Sequence, residues 1–367
     1  MKKFFQNIKF KKISLTTLAL ALVVSGFLVW GNTEAAITGI TVTSPNGGEI
    51  WSGSHDITWT TEPSGDAGTV DIYLVGGESS SSIAIGEAND GSYSWNTTAH
   101  ADGSSYKIKI ASSNADPDVY SESANVFTID NTPPTVESVS VNDESIAEGD
   151  VGTDKFVVTV NFDDTNPMDE TTNPTIAFDP TLDTTITNCS NSWTDSNTFT
   201  YTCDIADADI ESADIDIQVS GAKDAAGNTM SGTFTESDEF DVDTIAPTAP
   251  TIGSFTATGG TVVADTINST NTGFTLGFTS PTSNHEGTAH LYLGGVDLAT
   301  PVTIAVGAAG TLYTLTGDST AITNLGADGT KSLTVVIVDV AGNVSTASAA
   351  EEITLDQGIP TIDSVAL

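Results

Sequence analysis

A nine-residue punctuation recurs three times in this chain, at a fixed interval of 113 residues. It reads Phe127-Thr-Ile129-Asp130-Asn-Thr-Pro-Pro134-Thr135, then Phe240-Asp-Val242-Asp243-Thr-Ile-Ala-Pro247-Thr248, then Ile353-Thr-Leu355-Asp356-Gln-Gly-Ile-Pro360-Thr361. Each copy has two apolar residues at alternating positions, then an Asp, three further residues, and Pro-Thr. The alternation is that of a strand, whose side chains point to opposite faces. The proline that follows has no N–H to give a ladder, so pairing stops there. A period the size of one small domain implies tandem modules.

The punctuation divides the chain into a leader, 1–36, and modules at 37–130, 131–243 and 244–356. Residues 357–367 read as the start of a truncated further repeat. Thr361-Ile-Asp-Ser-Val-Ala-Leu367 tracks Thr135-Val-Glu-Ser-Val-Ser-Val141, and one strand cannot fold alone. The leader opens with Lys2, Lys3, Lys9, Lys11 and Lys12. An apolar run from Ile13 to Trp30 follows, then small residues near Ala35. This is the layout of a secretory signal peptide cleaved at Ala35 or Ala36. The run is also long enough to be retained as an anchor. Either way, membrane contact is expected only through this segment, and the protein is expected to be secreted or at the cell surface.

The formal net charge is −39. All ten basic residues are lysines, and only Lys107, Lys109, Lys155, Lys223 and Lys331 lie beyond the leader. Such a field repels nucleic acid and anionic membranes and attracts divalent cations; a solvated acidic surface is the plainer reading. Module 131–243 holds 25 of the acids and two of the lysines, so it and its edges are where a cation best fits. The two cysteines, Cys189 and Cys203, are equidistant from Ser196 in a strand–turn–strand pattern. They are expected to face each other across a hairpin as one structural disulfide, which suits an exported chain.

Short alternating runs fill each module. Val70-Asp-Ile-Tyr-Leu74 and Tyr106-Lys-Ile-Lys-Ile110 lie in the first, Phe156-Val-Val-Thr-Val-Asn-Phe162 and Ile215-Asp-Ile-Gln-Val219 in the second, and Leu333-Thr-Val-Val-Ile-Val338 in the third. With turn signals between them and no sustained helical period, the fold class is all-β: β-sandwiches in a linear array. Asp224-Ala-Ala-Gly227-Asn228 and Asp339-Val-Ala-Gly342-Asn343 sit one strand before a punctuation and predict tight turns.

Module one opens Ser44-Pro-Asn-Gly-Gly-Glu-Ile-Trp51 and continues through Asp56-Ile-Thr-Trp59, Gly91-Ser-Tyr-Ser-Trp95 and Tyr106-Lys-Ile-Lys-Ile110 to Phe127-Thr-Ile129. It resembles the cell-wall-synthesis Ig-like module of Ser/Thr-rich GPI-anchored proteins. Modules two and three, with their D-x-A-G-N turns and D-x₃-P-T seams, resemble tandem bacterial Ig-like domains of adhesins and surface-layer-type proteins. These resemblances imply immunoglobulin-like sandwiches in a cell-surface context, and they supply no catalytic residue.

Other candidate chemistry is sparse. His285-Glu286-Gly-Thr-Ala-His290 is one residue too long for a zinc-protease helix and reads as a loop entering a strand. The Asp207–Asp216 run lacks the Gly and Glu of an EF-hand loop. There, Asp214 and Asp216 alternate with Ile215 and Ile217 as the wet face of a strand. Nucleophile elbows and phosphate-cradling loops are absent from the sequence. Trp51, Trp59 and Trp95 read as core, with sugar stacking as the alternative.

The seams are the better candidate for a metal. Asp130, Asp243 and Asp356 recur there, and Asp224 and Asp339 lie in turns one hairpin away. Two readings stand: calcium stiffening each joint, or each Asp closing an Asx turn on its own backbone. The function this implies is non-enzymatic: an exported surface or envelope protein whose modules form a stalk or adhesin for a cell-surface protein or glycan. The alternative is an accessory carbohydrate-binding region of a larger secreted hydrolase.

Overall fold

The computed structural model describes residues 36–359 apart from 63, 65–67, 77–78, 114–118, 281–285, 301 and 305–309. In the leader it describes only a short antiparallel pairing of Val23–Val24 with Phe27–Leu28. The signal-peptide reading therefore falls outside the described residues, as do His285 and the repeat start at 361–367. No helix among the described residues is long and apolar enough to cross a membrane.

The chain forms two compact units: Met1–Pro133 with Asp224–Asn228, and Pro134–Lys223 with Thr229–Leu367. The first unit is a sandwich of two sheets. One is built from Gly39–Ser44, Ser54–Glu62 and Ser92–Asn96. The other runs Ile50–Trp51, Phe127–Ile129, Gly103–Ser112, Thr69–Gly76, Ser79–Ala88. The alternation that sequence reading found in Val70–Leu74 and Tyr106–Ile110 is the burial pattern seen. Val70, Ile72, Leu74, Ile108 and Ile110 are buried between the sheets, and both lysines stay outside the core. Trp51, Trp59 and Trp95 are buried too, so they pack the core and offer no platform for a sugar ring.

The second unit contains two sandwiches, each with its own apolar core. The first has the sheets Thr135–Val141, Gly152–Asp163, Thr198–Ile205, Ile186–Trp193 and Ser145–Ala147, Thr233–Asp243, Glu211–Ser220, Thr175–Asp179. The second has Thr251–Thr258, Gly273–Thr279, Leu312–Gly317 packed on a sheet centred on Gly329–Asp339 and Gly287–Leu293. Phe156 and Phe199 anchor the first core, Phe274 and Phe278 the second, and all four are fully buried. Each sandwich closes in the same way: the strand bearing the seam motif takes a parallel partner. The registers are Ile129 with Trp51, Val242 with Ile146, and Leu355 with Ile267.

One short helix, Ser319–Asn324, departs from the all-strand expectation. Asp318 caps it, accepting from the Thr320 and Ala321 N–H groups at 2.8 and 3.0 Å. Six residues are too few to show a helical period, but Asp before Ser-Thr is the local cap signal. Those backbone bonds, made to the charged form, hold the Asp318 carboxyl below its usual range.

Cys189 and Cys203 form the expected disulfide across the Ile186–Trp193 and Thr198–Ile205 hairpin. The ladder slips between Thr187 and Ser190, where Asn188 sits at φ +48°. Removing the bridge with Cys189→Ser and Cys203→Ser should cost about 3 kcal/mol by the chain-entropy estimate for a loop of this size. Denaturant unfolding of the double variant measures it, and an unchanged midpoint would show that the bridge does not staple the fold.

Candidate functional site

Asn343 is 1% exposed, so its side-chain amide must find partners within the protein. The Gly329–Asp339 strand leads into the turn that ends on it. The turn is held by Asp339 N–H to the Asn343 carbonyl (3.1 Å) and Gly342 N–H to the Asp339 carbonyl (3.2 Å). Gly342 takes φ +98°, a conformation that a side chain would strain. Asp339 then grips Asn343 twice. One carboxylate oxygen accepts from the Asn343 backbone N–H at 2.8 Å, and the other from its Nδ2 at 3.1 Å.

Held this way, the amide reaches across to the preceding sandwich. Nδ2 donates to the Asp243 carbonyl at 2.8 Å, and Oδ1 accepts from the Glu148 N–H at 2.7 Å. Asp243 ends the seam strand Thr233–Asp243, and Glu148 follows its parallel neighbour Ser145–Ala147. One side chain of the third module thus ties together both strands that close the second.

The first unit repeats the arrangement around Asn228. Asp224 accepts from the Asn228 N–H at 2.8 Å and from its Nδ2 at 2.7 Å. Nδ2 donates to the Asp130 carbonyl at 2.8 Å, and Oδ1 accepts from the Ser52 hydroxyl. Gly227 sits at φ +93°. Ser52 follows Trp51, the parallel partner of Ile129, and in the other unit Glu148 follows Ala147, the parallel partner of Asp243, one position further on. The D-x-A-G-N turn and the seam Asp are therefore two halves of one device. Each turn meets the preceding seam, across nearly a hundred residues, and not the seam one strand ahead.

Asp130 and Asp224 are both buried, at 2% and 0% exposure, and an oxygen of each lies within 4.8 Å of the other. Burial pushes the Asp224 carboxyl up from its usual range, and the neighbouring Asp130 charge adds to this. The bonds from Asn228 pull the other way. The seam aspartates also close Asx turns, the plainer of the two readings. Asp130 accepts from the Thr132 N–H (3.2 Å), Asp243 from Ile245 (3.0 Å) and Asp356 from Gly358 (3.1 Å). Asp356 is exposed, and among the described residues no D-x-A-G-N turn meets it.

The remaining candidates resolve as structure. His290 lies in the strand Gly287–Leu293, where its Nδ1 pairs with Asp297 at 2.8 Å and its Nε2 lies 3.0 Å from the Thr288 hydroxyl. Asp214 and Asp216 alternate with the fully buried Ile215 and Ile217 along the strand Glu211–Ser220. They brace the next strand, with the Asp216 carboxylate taking the Asp238 N–H at 3.0 Å.

If the Asn amide holds the joint, Asn343→Ala should destabilise the second unit by about 1–3 kcal/mol, because it removes the partner of the buried Asp339 carboxylate and of the half-buried Glu148 N–H and Asp243 carbonyl. Val340→Ala, at a 78% exposed position of the same turn, should change stability by less than about 0.5 kcal/mol. Equal effects in chemical denaturation would remove the amide from this role.

Residues 44–129, within the first unit, match the family model described as the Kre9/KNH-like N-terminal Ig-like domain. No curated protein matches the chain in sequence. Solved structures of similar fold include the Ca²⁺-stabilized adhesin that helps an Antarctic bacterium reach out and bind ice. It is 18% identical, covers 89% of this chain and 75% of its own, and has a TM-score of 0.37. The fibronectin(III)-like modules of Clostridium thermocellum CbhA are 15% identical over 56% of this chain and 94% of theirs, with a TM-score of 0.27. The ICAM-5 D1–D4 ectodomain fragment is 13% identical over 87% of this chain and 76% of its own, with a TM-score of 0.29. The chain is a tandem array of Ig-like β-sandwiches, and the family match at residues 44–129 together with the disulfide suit an extracellular protein.

Proposed function

We propose that this protein is a non-enzymatic component of the cell surface, a stalk or adhesin whose Ig-like modules present a binding region to a surface protein or glycan of another cell. The observation that carries this reading is the joint. The same Asn, half-buried at 228 and buried at 343 and held each time by the same Asp, caps the seam at Asp130 and at Asp243. A chain selected only for folded modules needs no repeated fastening where they meet. A spacer does, because its load passes through every joint in series. The acidic surface supports the same role by keeping such modules soluble and non-sticking. Two measurements test it. Antibodies against the modules should label intact cells, and single-molecule pulling should give separate unfolding events for the separate cores. Labelling only after lysis, or hydrolytic turnover of polysaccharide by the purified chain, would refute it.

A second reading concerns calcium at Asp130, Asp224, Asp243, Asp339 and Asp356. It is favoured by the buried Asp130–Asp224 pair, whose two carboxylates stand close enough to share a cation. Ca²⁺ takes six to eight oxygens, so carbonyls or water would complete the shell. Bound ion would offset the repulsion of the two buried charges and stiffen the joint. Calcium should then raise the thermal unfolding midpoint over that in chelator, and Asp130→Asn should reduce the difference. Identical midpoints in the unmodified protein would discard the idea.

A further inference from the structure

The third sandwich carries a cavity of about 650 Å³ beside its Leu312–Gly317 strand. Its walls are the outward face of that strand, the short Ser319–Asn324 helix, and the residues Asp297–Thr300 with Val302. Four threonines line it, Thr300, Thr314, Thr316 and Thr320, all exposed, together with the Asn324 amide. Two carboxylates complete the polar lining, and both are already oriented. Asp297 is paired to His290 at 2.8 Å, and Asp318 is fixed by the helix N–H groups. Leu298, Ala299 and Val302 supply apolar contact. The size is that of a small-molecule site, with an apolar wall and a few fixed polar groups.

The cavity opens onto an unusual surface for so acidic a chain. On the outer face of the three-stranded sheet, Thr256, Thr275 and Thr316 stand in one cross-strand row, and Ser254, Gly277 and Thr314 in the next. None of these residues is charged. Gly277 keeps the second row low, since a side chain there would meet the Ser254 hydroxyl at 2.7 Å. Exposed Leu312 extends the same strand face at one end.

From this arrangement we infer that the cavity and the adjoining sheet face bind a neutral polysaccharide. The lining offers hydroxyls, an amide and fixed carboxylates, which can exchange hydrogen bonds with sugar hydroxyls. Threonine methyls and the Leu, Ala and Val side chains match the apolar C–H faces of the rings. No Lys or Arg lines the cavity, and its two carboxylates repel anions, so uronate- or sulfate-bearing chains are excluded. The inference rests on the third sandwich alone and stands or falls apart from the joint reading.

The test is isothermal titration of the full chain with cellotetraose, mannotetraose and, as the charged comparison, tetragalacturonate. Saturable binding of at least one neutral probe is expected, and none of the uronate. Thr316→Trp, which fills the cavity, should weaken that binding at least roughly tenfold. Thr314→Arg, at an exposed neighbouring position, provides a second variant should the first fail to fold. Unfolding midpoints close to the parent's confirm that each variant used is folded. Absence of saturable binding to both neutral probes, equal binding by the folded variants, or preference for the uronate would overturn the inference.

Discussion

The second unit depends on one buried amide being completely paired. Asn343 gives its two N–H bonds to Asp243 and Asp339 and takes one from Glu148, and at 1% exposure its own side chain has almost no water to turn to instead. A buried polar group is costly when unpaired and modest in value when paired, so its main effect is to exclude other arrangements. Displacing the third sandwich from the second would break these bonds together. An apolar contact would have tolerated sliding; a hydrogen-bonded amide gripped by a carboxylate does not.

The same logic explains why the device uses Asp, Gly and Asn in that order. The Asp must sit four residues before the Asn to catch both its backbone and side-chain N–H groups. The Gly must take the positive φ that folds the turn back, and only then does the amide face outward with its plane fixed. Asp224 bears a cost for this service. Fully buried beside Asp130, it holds its charge less readily than a free carboxylate, and the Asn228 bonds offset part of that penalty. The joint is where charge, burial and covalent economy meet, while the cores on either side are ordinary apolar packing.

Function follows from where specificity is spent. The cores and strands would serve any immunoglobulin-like protein, and fold alone names no activity. The particular features of this chain are the repeated joints and the uncharged threonine surface of the third sandwich. The first suits transmission of load between modules and the second suits a neutral partner at a surface otherwise dominated by acid. Both lie on rigid strands and tight turns, where their geometry is preorganised.

Much of the architecture was legible in the sequence because strand burial is a local, period-two property. Ile215 and Ile217 alternate with acids in the chain and alternate between core and solvent in the fold. The Cys189–Cys203 pairing was legible for the same reason, since the symmetry of a hairpin is written in its spacing. The Ser319–Asn324 helix was not, because it is shorter than the window in which a helical period shows. Tertiary structure alone decided which seam each D-x-A-G-N turn serves. Sequence proximity pointed Asp224 toward Asp243, but the strand before the turn carries it to the opposite end of the sandwich, where the chain enters after Asp130. The threonine rows were likewise hidden, because residues from three strands share a face only once the register of Thr256, Thr275 and Thr316 is set. Local pattern determines what a segment becomes; which distant segments it meets is settled only by packing.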